Sequence, residues 1–207
     1  MKKYPLQFNG NALASWVLSL FGWRVLFNGL PEARGVIAVY PHTSNWDFVV
    51  GLLAKWSVGI PARYWGKDSL FRIPIFSRFM RWTGGIPVNR TSKSGMVTDT
   101  VKAMHAADFF WLGLAPEGTR RRIAGWRSGF YRVACGAGVP ICVAYFDYRS
   151  KTIDLTHFFV PTGDESADFA VMAGVLQGKL GLKPQNMSPI LLLDDKTARD
   201  KRLTNAR

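Results

Sequence analysis

The sequence predicts a single α/β domain with a largely parallel central sheet flanked by helices, led by a short apolar N-terminal helical segment. Three observations carry this expectation. Short apolar, β-branched runs such as Gly35–Tyr40 and Ile141–Phe146 read as buried strands. Helical segments fall between such runs, and that alternation places helices in the crossovers of a parallel sheet. The 207 residues contain no internal repeat and no linker long enough to divide them, and a chain of this length can bury one full core.

The elements follow in order. Lys2 and Lys3 precede an apolar stretch from Ala12 to Phe27 that Arg24 interrupts. No small-x-small cleavage site follows it, which argues against a secretory signal. Its 16 residues would extend ~24 Å as a helix, short of the ~30 Å hydrocarbon core. Trp16, Phe21, Trp23 and Phe27 suit a segment lying in a membrane interface, and equally the apolar stripe of a first helix packed on the core. Gly35–Tyr40 is the first strand. Thr43, Ser44 and Asn45 are helix-capping residues ahead of an apolar helix over Phe48–Trp56. Ala62–Gly66 reads as a short strand, Leu70–Trp82 as a helix broken at Pro74, and Gly85–Asn89 as extended. Ser94–Ala107 places Val97, Val101 and Met104 on one helical face. Phe109–Leu114 is a strand, Gly129–Ala137 a helix with a Gly-rich C-cap, and Ile141–Phe146 a strand. Thr152–Phe159 alternates like an edge strand, and Ser166–Leu180 is the last helix.

Charge narrows the partners. Lys and Arg number 27 against 14 Asp and Glu, for a net charge of +13, so an anionic partner is expected. No acid lies between Glu117 and Asp147, where Arg120, Arg121, Arg122, Arg127 and Arg132 cluster. Nucleic acid is not the expected partner, because no RNP-like, helix-turn-helix or zinc-finger pattern accompanies the charge. A 48% hydrophobic composition excludes general disorder. Cys135 and Cys142 read as small apolar core residues in a reducing compartment, and the two Cys and three His have no metal-ligand spacing.

Four segments carry candidate chemistry. His42 and Asp47 are five positions apart, directly after a strand. On one continuous helix they would diverge by ~140°. They can meet only if His42 sits in the loop and Asp47 in the first helical turn. Asp47 would then hold one ring nitrogen and leave the other free to accept a proton, a base and its orienter without a serine. No G-x-S-x-G elbow supplies one, so the nucleophile would come from the substrate. Gly84-Gly85-Ile86-Pro87-Val88-Asn89-Arg90 allows close backbone approach and ends in Arg90. Pro116-Glu117-Gly118-Thr119-Arg120 follows a strand and could hold an oxyanion or phosphate, with Glu117 steadying the Arg120 fork or meeting an acceptor hydroxyl. Gly138-Val139-Pro140-Ile141 leads a turn into a strand.

In this order the segments resemble the glycerophospholipid acyltransferase family, to which lysophosphatidic acid acyltransferases belong. The resemblance covers about residues 35 to 145, through H-x4-D, a Gly-rich block ending in Arg, E-G-T-R and a V-P-I segment. It implies that residues 31–193 are an acyltransferase catalytic domain, between an apolar or interfacial segment at 1–30 and a polar tail at 194–207. His42 would act as general base and Asp47 as its orienter. Arg90, Glu117, Gly118, Thr119 and Arg120 would bind the acceptor. The donor would be acyl-CoA or an acyl carrier protein, with no metal and no bound cofactor. The acceptor would be a lysophospholipid or glycerophosphate-like lipid at the cytoplasmic face of an anionic membrane. Pro41, Ala115 and Arg121 depart from the common family pattern, and a lyso-aminolipid acceptor or a catalytically silent lipid-binding module are the alternatives. Trp56, Trp65 and Trp82 are candidates either for an acyl groove or for the core.

Overall fold

Nearly every residue of Arg34–Tyr40 and Ile141–Asp147 is buried, because both strands are covered on two faces. In the computed structural model, which describes residues 3–88 and 93–193, the strands form one sheet. They are β1 (Arg24–Leu26), β2 (Arg34–Tyr40), β3 (Arg63–Lys67), β4 (Gly85–Val88), β5 (Phe110–Leu114), β6 (Ile141–Asp147), β7 (Thr152–Asp154) and β8 (Phe158–Phe159). The helices are α1 (Ala12–Leu20), α2 (Trp46–Val58), α3 (Pro74–Trp82), α4 (Lys93–Ala106), α5 (Gly129–Ala137) and α6 (Glu165–Leu176). Arg90 and the expected tail at 194–207 lie outside the described residues.

The sheet order is β1-β7-β6-β2-β5-β3-β4, with β8 also pairing β6. The five strands from β6 to β4 run parallel, while β7 and β8 pair antiparallel to β6. The steps β2 to β3 and β3 to β4 go one way along the sheet, and β4 to β5 and β5 to β6 return. Right-handed crossovers therefore put α2 and α3 on one face and α4 and α5 on the other. Contacts agree, since α1 packs on α2 and α4 on α5.

Two clusters result from the period-two alternation of the strands. Val36, Ala38, Leu112, Ile141 and Val143 face Phe130, Val133 and Met172. Ile37, Trp111, Cys142 and Ala144 face Leu18, Trp23, Val50 and Ala54. Gly35 is required by this packing, because a Cβ there would stand 2.4 Å from the Trp111 ring. Trp65 joins the first cluster, whereas Trp56 and Trp82 meet on the opposite face with ring centroids 5.6 Å apart and planes tilted by 50°. The three tryptophans therefore do not line one groove.

Other details depart from the sequence reading. Thr152–Phe159 is two strands, and β7 is not an edge, because β1 pairs outside it. The last helix stops at Leu176, and Gly178 turns the chain with a φ of +72°. Cys142 is buried as expected, but Cys135 is exposed because it lies on the outer face of α5.

Residues 3–30 are tied into the domain through β1 and through α1, which packs on α2. Ala14 and Leu18 of α1 are buried, as is Trp23, while Leu13, Trp16, Leu20 and Phe21 face outward. Trp23 packs edge-on against Tyr148 at 4.8 Å. Among the described residues no helix is long and apolar enough to cross a membrane. Deleting residues 1–28 should therefore destabilise the domain by about 3–6 kcal/mol, the worth of two large buried side chains, even before the loss of β1. Urea unfolding checks this, and an unchanged midpoint would show the segment to be dispensable.

Candidate active site

His42 stands in the loop that leaves the C-terminal end of β2, and Asp47 lies in the first turn of α2. The two side chains meet, with Nδ1 of His42 3.2 Å from Oδ2 of Asp47. The capping logic runs opposite to the expected direction. Asn45, the N-cap residue, makes no side-chain cap bond. Instead the Asp47 carboxylate reaches back along the chain. Its Oδ2 accepts the backbone N–H of Thr43 at 2.7 Å and of Ser44 at 2.8 Å. Its Oδ1 accepts the hydroxyl of Tyr148 at 2.6 Å. Burial works against ionisation of Asp47, but the bonds from His42, Tyr148 and Ser44 outweigh it and hold the carboxyl below its ordinary range. Tyr148 responds in the other sense: burial and the bond to Asp47 push its hydroxyl well up. Asp47 is thus a fixed negative charge that orients the ring. The His42 side chain remains 24% exposed, and Asp47 leaves its Nε2 uncommitted.

Glu117 supports the same loop from below. It is fully buried. Its Oε2 accepts the backbone N–H of His42 at 2.6 Å, and its Oε1 accepts that of Ser188 at 3.0 Å. Burial raises its carboxyl above the ordinary range, with those bonds opposing. The expectation that Glu117 steadies Arg120 or meets an acceptor is therefore corrected. Its side chain turns into the protein, where the loop after β2 and the segment after α6 share it as a common acceptor.

Ser188 belongs to a segment that wraps the site after α6. The Ser188 carbonyl accepts the Tyr40 hydroxyl at 3.0 Å, and its Oγ accepts the Ile123 N–H at 3.2 Å. Burial, with Glu117 nearby, pushes the Tyr40 hydroxyl up to about 12, against the opposing pull of Arg122. Gly181 lies against the His42 loop so closely that a Cβ would sit 2.7 Å from Thr43 Oγ1. The same Oγ1 accepts the Lys183 N–H at 3.2 Å. The strap is fastened at Trp126, which donates its backbone N–H to the Leu191 carbonyl at 2.6 Å and accepts from Leu193 at 2.8 Å. Sequence reasoning missed Tyr148 and Ser188, since neither stands at a spacing that marks it.

The Gly118-Thr119-Arg120 turn follows β5. Because β2 and β5 are parallel neighbours, it shares an edge of the sheet with His42. Gly118 has a φ of +62°, and a Cβ there would stand 2.9 Å from Nε of Arg127. Thr119 Oγ1 accepts the Arg121 N–H at 3.3 Å. Arg120, Arg121, Arg122 and Arg127 are exposed and line this edge with positive charge. β4 ends at the same edge, just before Arg90. The Val139-Pro140-Ile141 segment lies at the other end of the sheet, where the Pro140 carbonyl accepts the Val36 N–H at 3.0 Å. Its role is to seat β6. Among the described residues no group of three or more His, Cys, Asp or Glu side chains could hold a metal ion.

This arrangement can take a proton from a group that enters beside a cationic rim. Comparison with known proteins adds to it. The chain is similar in fold to the crystal structure of the 1-acyl-sn-glycerophosphate (LPA) acyltransferase, PlsC, from Thermotoga maritima. The TM-score is 0.53 at 16% identity, covering 81% of this chain and 78% of that one. A search of curated proteins gives no match. The family model described as Acyltransferase matches residues 24–146, a span that holds His42, Asp47, Arg90 and the whole 117–120 turn. Since that match takes in more than half of the chain, the protein belongs to the acyltransferase family.

Proposed function

We propose that the protein moves a fatty acyl group from a thioester, acyl-CoA or an acyl carrier protein, to the hydroxyl of a lysophospholipid-type acceptor at the cytoplasmic face of a membrane. The observation that carries this reading is the 3.2 Å contact of His42 Nδ1 with a buried, fully hydrogen-bonded Asp47. Nε2 of His42 then takes the acceptor's proton while the acceptor oxygen attacks the thioester carbonyl. The C–S bond breaks as the tetrahedral intermediate collapses. The imidazolium returns its proton to the departing thiolate, and the products are an ester and a free thiol. Asp47 supports the imidazolium electrostatically. The exposed Arg120 and Arg90 of the Gly-rich block are the proposed ligands of an acceptor phosphate. The acceptor chemistry named for the Thermotoga maritima structure supports a lysophosphatidate-like substrate, and a lyso-aminolipid is the alternative that acceptor screening would separate from it. A silent lipid-binding module would leave the dyad without use, and thioester turnover distinguishes the two.

Three outcomes test this. Replacing His42 by Ala should lower transfer by ~10²–10⁴-fold with an unchanged circular-dichroism spectrum. A folded His42→Ala enzyme with near-normal turnover would falsify the mechanism. Tyr148→Phe removes one charge-assisted bond from Asp47 while keeping the ring that packs on Trp23. We expect kcat to fall about tenfold, with acceptor KM little changed. An equal rise in KM would instead place Tyr148 in binding. Arg120→Ala should raise acceptor KM, and Arg120→Lys should restore it only in part, because an ammonium lacks the planar fork. Unchanged acceptor kinetics in Arg120→Ala would remove Arg120 from the site.

A further inference from the structure

α3 is an amphipathic helix turned inside out. Of its nine residues only Met80 is buried. Ile75, Phe79 and Trp82 recur at i, i+4 and i+7, a single stripe, and the stripe faces solvent with Ile75 88% and Trp82 71% exposed. Phe76 lies beside it, 6.2 Å from Phe79, and Phe79 is 6.2 Å from Trp82. Arg78 and Arg81 follow along one border, and the exposed Arg72 lies just ahead of the helix. No acid occurs between Asp68 and Asp99. Large apolar side chains held in water on a helix bordered by arginines are unfavourable until something anionic and apolar covers them.

The position of α3 ties this face to the site. β3 ends at the same sheet edge as β2, and one 3₁₀ turn, Asp68–Phe71, connects it to α3. The N-terminal end of α3 therefore lies toward that edge, on the face that also carries α2. Trp46 and Val49, in the first turn of α2 beside the His42 loop, are exposed as well. A lipid whose chains remain in a bilayer could present its headgroup to His42 only if this side of the molecule meets the bilayer.

We infer that α3 is the membrane-docking element of the protein, lying in the interface of an anionic bilayer with Ile75, Phe79 and Trp82 among the acyl chains and Arg72, Arg78 and Arg81 at the lipid phosphates. A nine-residue helix is too short to span a bilayer but suits this parallel seat. Alternation of Trp and Phe with Arg, free of acid, matches an anionic lipid surface better than a shaped protein groove. The first helix, with its own exposed Leu13, Trp16 and Leu20, serves as the internal comparison. The docking surface serves the proposed reaction, but its test requires no turnover, so failure of one is distinguishable from failure of the other.

The experiment is flotation of the full chain with vesicles of phosphatidylglycerol and phosphatidylcholine, and with phosphatidylcholine alone. Four proteins are compared: wild type, Ile75→Glu/Phe79→Glu, Arg78→Gln/Arg81→Gln and Leu13→Glu/Leu20→Glu. All altered side chains are exposed, and thermal melts confirm folding. The wild type should float with the anionic vesicles. The Ile75/Phe79 variant should lose at least about tenfold in partitioning, and the Arg78/Arg81 variant should lose the preference for phosphatidylglycerol. Undiminished flotation of the folded Ile75/Phe79 variant would overturn the inference, above all if the Leu13/Leu20 variant fails to float. Retained flotation with lost binding to an acidic carrier protein would also overturn it and assign the surface to a protein partner.

Discussion

Two buried carboxylates hold one short loop, and the arrangement of the site follows from that. Asp47 gathers the N–H groups of Thr43 and Ser44, while Glu117 takes the N–H of His42 itself. A loop at the end of a buried strand would otherwise leave these donors without partners, at a cost of about 1–3 kcal/mol each. Ionised acceptors make the bonds short and directional. The ring of His42 is thereby fixed from both ends, its backbone by Glu117 and its Nδ1 by Asp47. The Asp47 carboxylate is therefore already in place against Nδ1 of the ring.

Topology explains why both carboxylates are available. Parallel strands deliver all their following loops to one edge, and the loops after β2 and β5 are neighbours there. Glu117 can bridge them because β2 and β5 pair directly, from Arg34 opposite Phe110 to Ala38 opposite Leu114. The third neighbouring strand, β6, ends at the same edge and contributes Tyr148 one residue later. The site is assembled from three adjacent strand ends, in the usual place for ligand binding in open α/β sheets.

The sheet was legible in sequence wherever a strand was long enough to show period two or a continuous apolar run. β2, β5 and β6 met that condition, and the three-residue β1 did not. Because β1 was not visible, β7 read as an edge. The contact between His42 and Asp47 was legible as geometry, since only a loop-to-first-turn arrangement lets residues at that spacing meet. The direction of Glu117 was not. Its sequence neighbour is a surface arginine turn, and adjacency says nothing about which side of the turn a side chain takes. Tyr148 and Ser188 act across 101 and 71 positions, and no local pattern encodes a contact at that range.

The wrap of the segment around Ser188 has a consequence for the history of each molecule. Chains are made from the N-terminus, so the His42 loop and Asp47 are synthesised long before their distant supports. Glu117 comes next, then Tyr148, and Ser188 last of all. A nascent chain that has completed the recognisable motif still lacks Tyr148 and Ser188, which brace its two carboxylates. Competence is therefore acquired late, when residues near the end of the domain close over its beginning. The same order bears on how inherited changes should be weighed. A substitution near residue 188, outside the matched stretch of 24–146, can disable the loop while every motif residue remains intact.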